Sequence, residues 1–139
     1  MAYTFYIDPQ VNCVFIRHFN EIEPGDGLSS ISTVVEDPNF VPKLNILRDM
    51  REVSIPAQYG SIELIRRVRI QLEEFVQHFQ ISKFAWVVGS ASDFAIAHRW
   101  STTTRLNVDY TRNPFREISK ALEWLGIAED YEFKYPSNH

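Results

Sequence analysis

The chain has 139 residues, with 14 Lys+Arg against 18 Asp+Glu and a formal net charge of −4. Hydrophobic residues make up 45% and charged residues 23%, the balance of a globular domain able to bury its own core rather than of a disordered chain. Mild acidity argues against nucleic-acid binding, the apolar runs are too short for a membrane span, and the single cysteine, Cys13, excludes an internal disulfide framework.

No repeat or Gly/Ser linker divides the chain, so one domain is expected. Tyr3–Ile7 and Cys13–His18 are rich in aromatic and β-branched residues. They flank Asp8-Pro9-Gln10-Val11-Asn12, which reads as the turn of a β-hairpin. Pro24-Gly25-Asp26-Gly27 punctuates next, and Asp26 is placed to cap a helix over Leu28–Glu36 that Asp37-Pro38 stops. Leu44–Asp49 is a short strand. The strongest helical signal runs from Ser61 to Phe79, where Ile62, Ile65, Val68, Leu72, Phe75, Val76 and Phe79 recur at spacings of three and four. Arg69 falls inside that apolar arc, with Glu73 one turn later as an ion-pair partner. Ser61 supplies its N-cap.

Lys83–Val88 lacks a polar break after its first residue and reads as a central strand covered on both faces. Gly89-Ser90-Ala91-Ser92-Asp93 then turns the chain into a helix reaching about Ser101, with Phe94, Ala97 and Trp100 inward. Leu106, Val108 and Tyr110 alternate with polar residues, as in a half-exposed strand. Asn113 and Pro114 suit the start of a last helix, Gly126 its end, and Phe115, Ile118, Leu122 and Leu125 its buried stripe. The order β-β-α-β-α-β-α-β-α predicts a single-domain α/β fold with a mixed, mostly parallel sheet. Strand C-termini would then point at loops Asp49–Gly60, Gly89–Asp93 and Tyr110–Asn113, the usual ligand end of an open α/β sheet.

Two segments resemble the STAS-like group, and more closely its small bacterial stand-alone SpoIIAA-like members. Asn45-Ile46-Leu47-Arg48-Asp49-Met50-Arg51-Glu52-Val53 is similar to that group's strand reading leucine, Asp, a polar or basic residue, Val. Phe115-Arg116-Glu117-Ile118-Ser119-Lys120-Ala121-Leu122-Glu123-Trp124-Leu125-Gly126 is similar to its closing helix. The resemblance implies a STAS-like domain over residues 1–126 that recognises another protein, or another copy of itself, through Asp49, Ser54, Tyr59, Gly60 and Ser61. It also implies a partner kinase acting on serine just after the strand. Here the matching stretch is Ala57-Gln58-Tyr59-Gly60, which keeps the glycine and lacks the serines, leaving Ser54 and Ser61 as nearby hydroxyls.

Other candidates stand beside that reading. The Gly89–Asp93 turn, with Ser90, Ser92 and Asp93 opening a helix and His98 near its polar border, is a candidate anion or small-ligand site, or equally a plain helix cap. Some relatives implied by the resemblance hold apolar or lipid-like molecules, and aromatic residues at 14% could line such a pocket. An enzyme would draw on Gly89–Asp93, His98 and Asp49. Asp49, Ser90 and Arg112 also follow successive strands, as the phosphoacceptor, hydroxyl and lysine of receiver domains do. His18, His78, His98 and His139 show no metal spacing, and Cys13 and His18 would point to opposite faces of one strand.

Residues 127–139 form an aromatic tail in which Tyr131, Phe133 and Tyr135 alternate with Glu132 and Lys134. The tail either docks on its own domain or reaches the hairpin of a second copy in a homodimer. The whole reads as a non-enzymatic, cytoplasmic binding module whose partner is a protein, without cofactor, metal, nucleic acid or membrane insertion. A small apolar or anionic ligand-binding protein and an enzyme at Gly89–Asp93 and His98 are the alternatives.

Overall fold

The computed structural model describes residues 3–23, 25–79, 82–103 and 111–136. Five strands form one sheet in chain order: β1 (Tyr3–Asp8), β2 (Cys13–His18), β3 (Asn45–Met50), β4 (Lys83–Val88) and β5 (Thr111–Phe115). β1 and β2 pair antiparallel, and the remaining pairs are parallel. Four α-helices complete a single-domain α/β fold: α1 (Asp26–Glu36), α2 (Ile62–Leu72), α3 (Ala91–Thr103) and α4 (Ile118–Leu125).

A strand order that advances one place at a time dictates where the helices lie. Right-handed crossovers that all step in the same direction put every connecting helix on the same face of the sheet. That face carries Val14, Ile16, Ile46, Met50, Phe84 and Val88, which cluster with Ile31, Val34, Phe79 and Ala97 from the α1–α3 side. The opposite face carries Cys13, Phe15, Leu47, Ala85 and Val87, and no crossover helix reaches it. α4 covers it instead, with Ala121, Leu122 and Leu125, followed by Ile127.

The aromatic tail completes that cover on its own chain. Phe15 stacks on Tyr6 at 5.0 Å and on Tyr131 at 4.9 Å, while Phe133 meets Phe15 edge-on at 5.5 Å. The Tyr131 hydroxyl donates to Asp8 Oδ2 at 2.8 Å, and Lys134 Nζ donates to the same oxygen at 3.1 Å. The hydrogen bond from Tyr131, more than the nearby ammonium, holds the Asp8 carboxyl below its ordinary pKa.

Several local expectations are corrected. The α-helix expected over Ser61–Phe79 ends at Leu72 and continues as 3₁₀ winding over Glu73–Phe79. His78, in this 3₁₀ segment, sits half-buried against Phe40 at 5.7 Å. Asn113 and Pro114 belong to β5 and do not start the last helix, so of the loop expected at Tyr110–Asn113 the described part, from Thr111, is strand, and Tyr110 lies outside the described residues. Among the described residues β5 is an edge strand, where a proline's missing N–H is tolerated. The helix begins at Ile118 and ends on Gly126, whose φ of 76° suits glycine. Asp26 begins α1, and its carboxylate turns back to accept from the Glu23 amide at 2.8 Å rather than capping the first turn. The strand expected at Leu106–Tyr110 and His139 lie outside the described residues.

Gly89 leaves β4 so close to the loop after β3 that a Cβ there would lie 2.8 Å from the Arg51 carbonyl oxygen. Gly89→Ala is therefore expected to cost about 1–3 kcal/mol of folding stability, measured by urea denaturation.

A candidate ligand cavity beneath the sheet

Between the α1–α3 layer and the sheet lies a cavity of about 430 Å³. Its floor is the sheet face itself, with Ile46, Arg48 and Met50 from β3, Phe84 and Trp86 from β4, and Arg112 from β5. Strand alternation explains the set, because residues two apart on one strand share a face. Leu28 and Ile31 of α1, Leu64 and Val68 of α2, and Ala97 and Trp100 of α3 form the walls. Volume and lining are those of a small-molecule site: mostly apolar surface with few polar groups.

The loop from Arg51 to Ser61 is tied down over this cavity from α3. Asp93 Oδ1 accepts from the Ile55 amide at 3.2 Å, Arg99 Nη1 donates to the Gly60 carbonyl at 2.7 Å, and Trp100 Nε1 donates to the Tyr59 carbonyl at 2.7 Å. These bonds aim Tyr59 inward. Its hydroxyl oxygen is buried with no hydrogen-bond partner among the described residues.

Arg48 and Arg112 are the charged groups of the floor, 8% and 5% exposed. Arg48 Nη1 donates to His18 Nε2 at 2.9 Å and to Ser30 Oγ at 2.8 Å, and the Ser30 hydroxyl donates onward to the Gly27 carbonyl at 2.8 Å. Burial pulls the Arg48 pKa down to about 10, which leaves it charged at neutral pH. Burial first, and then the charge of Arg48, lowers the His18 pKa to about 3, so His18 is a neutral acceptor at Nε2. That bond assigns the ring proton to Nδ1.

The residues singled out in the sequence distribute differently. Asp49 lies on the opposite sheet face from Arg48, buried, with Oδ1 and Oδ2 accepting from Arg51 Nε and Nη2 at 3.0 and 2.9 Å. Gly60 is buried and Tyr59 half-buried, so of the five residues proposed as a protein-binding surface only Ser54 and Ser61 are exposed. Ser61 caps α2, its Oγ accepting from the Leu64 amide at 3.4 Å. Ser90 caps α3, its Oγ accepting from the Asp93 amide at 3.1 Å, and it contacts Ser92 Oγ at 3.2 Å. The turn's hydroxyl and carboxylate are thus engaged within the fold. His98 is exposed beside Phe94, and the sheet separates it from Asp49, so the enzyme constellation does not assemble. Arg112 and Asp49 likewise occupy opposite faces, which removes the receiver-like arrangement. Cys13 is buried on the α4 side, where burial pushes its thiol pKa up, away from His18.

Sequence reasoning missed Arg48, His18 and the inward turn of Tyr59. Arg48 did leave a signal: it shares strand parity with Ile46 and Met50, so a charge stood on a face otherwise apolar.

Among the described residues no group of three or more His, Cys, Asp or Glu could hold a metal ion, and no helix is long and apolar enough to cross a membrane. No protein-family model, curated protein or solved structure matches the chain.

His18 makes stability pH-dependent with a definite sign. In the unfolded chain it takes a proton near pH 6.5, whereas in the folded chain it resists until about 3. The unfolded state therefore binds more protons within that window, and stability is full above it and lost as pH falls through it. Urea midpoints measured across pH 7 to 3 are expected to fall faster for the wild type than for His18→Gln; parallel curves would show that His18 charges as easily inside as outside.

Proposed function

We propose that this protein binds a small, mainly apolar molecule in the cavity between the sheet and α1–α3. The observation that carries the reading is the cavity itself, about 430 Å³ and walled by aliphatic and aromatic side chains. An apolar space of this size forfeits dispersion contacts along its walls, and a ligand of matching shape restores them. Trp86 and Trp100 both line it, so occupancy has a built-in optical reporter.

A STAS-like protein-recognition module is the second reading. It is supported by the likeness of Asn45–Val53 and Phe115–Gly126 to that group, and by Ile62 and Ile70 of α2, which are 47% and 61% exposed. An exposed isoleucine pair on a helix suits a protein partner. The cavity favours the first reading because it is a formed space rather than a patch.

Filling the space tests the choice. Ala97 is a buried wall residue, and Ala97→Phe is expected to weaken binding of the neutral dye Nile red about tenfold or more, with far-UV circular dichroism unchanged. Unchanged dye affinity, or none in the wild type, would remove the small-molecule reading and leave the α2 surface as the better proposal.

A further inference from the structure

Arg48 bears on what kind of molecule the cavity takes. A guanidinium has five N–H hydrogens. Nη1 commits both of its own, to His18 Nε2 at 2.9 Å and Ser30 Oγ at 2.8 Å. Both acceptors are neutral, and no carboxylate among the described residues comes within 4.0 Å of the group. The Nε–H and the Nη2 hydrogens have no acceptor among those residues. Arg48 is 8% exposed and Asp26 acts on it only from beyond 4.0 Å, so a closer opposite charge would stabilise it.

The free donors also have a shape. Nε–H and one Nη2–H lie parallel along one edge of the guanidinium, the fork that receives both oxygens of a carboxylate. The same chain shows that fork filled at Arg51, whose Nε and Nη2 donate to the Asp49 oxygens at 3.0 and 2.9 Å. At Arg48 the fork belongs to a residue of the cavity floor, and His18 and Ser30 fix the opposite edge, so the side chain cannot swing away without breaking both bonds. Tyr59 lines the same cavity, and its hydroxyl has no hydrogen-bond partner among the described residues.

We infer that the ligand is a monocarboxylic acid with an apolar body, its carboxylate seated on the Nε–H and Nη2–H edge of Arg48 and its body along Ile46, Leu72, Phe75 and Phe84. The inference rests on the cavity reading and adds the head group to it. A ligand carboxylate offsets the charge of Arg48, in a lining that also carries Arg67, Arg112 and Glu23, and the apolar walls reject a small hydrated anion that cannot cover them.

The probes are decanoate and decanol, alike in chain and different only in the head group. Each is titrated below its aggregation limit into the intact protein at neutral pH, with tryptophan fluorescence as readout. Decanoate is expected to bind about tenfold or more tighter than decanol, and Arg48→Met to abolish that preference. Equal affinity of the two probes for the wild type, or a preference that survives in Arg48→Met, overturns the head-group assignment and leaves the cavity reading standing. Binding of neither probe overturns both. If Arg48→Met does not fold, the wild-type pair of titrations decides alone.

Discussion

The sheet's strand order is the constraint on which the rest of the molecule depends. Because β1 to β5 lie side by side in chain order, the crossovers load α1, α2 and α3 onto one face and leave the other bare. An apolar sheet face carrying Cys13, Phe15, Leu47, Ala85 and Val87 cannot stay in water. The chain after β5 therefore has a defined task, which α4 and the aromatic tail perform. Tyr131 and Lys134 close the arrangement by converging on Asp8 at the end of the first strand, so the far ends of the described chain are joined through one carboxylate.

The crowded face has the opposite character. Three helices, a 3₁₀ extension and the pinned Arg51–Ser61 loop lie on it, yet they leave a space beneath them. Phe84 and Trp86 line the space from the sheet side, and the α3 bonds to the Tyr59 and Gly60 carbonyls hold the loop in place over the gap. His18 at the end of β2 and Ser30 on α1 reach Arg48 from two sides, so a charge is held inside an apolar layer by neutral acceptors. That is an arrangement with one edge left unused, and the unused edge faces the question of what the cavity holds.

Much of the fold was legible in the residues. The hairpin, the alternation of strand and helix, the Ser61 cap and the Gly126 stop all follow from period, turn chemistry and capping, which act over a few neighbouring residues. The site was less legible. Asp49 drew attention as a strand-terminal carboxylate, but its oxygens are occupied by Arg51 two residues away. Ser90, Ser92 and Asp93 looked like a ligand turn, whereas they serve α3 and the loop above it. Tyr59 was noticed for a surface role and points inward, because Trp100 and Arg99, about forty residues on, grip the adjoining carbonyls.

By itself the amino-acid sequence determined the kind and order of the elements and which side chains share a strand face, since those depend on local periodicity and local hydrogen bonding. Only the tertiary structure decided that Arg48, His18 and Ser30 meet, that Tyr59 lines the same cavity as Arg48, and that an unfilled space separates the helices from the sheet. Those outcomes depend on contacts between residues 18 to 41 apart and on how well bulky side chains can fill the gap between two layers, neither of which any short stretch of chain records.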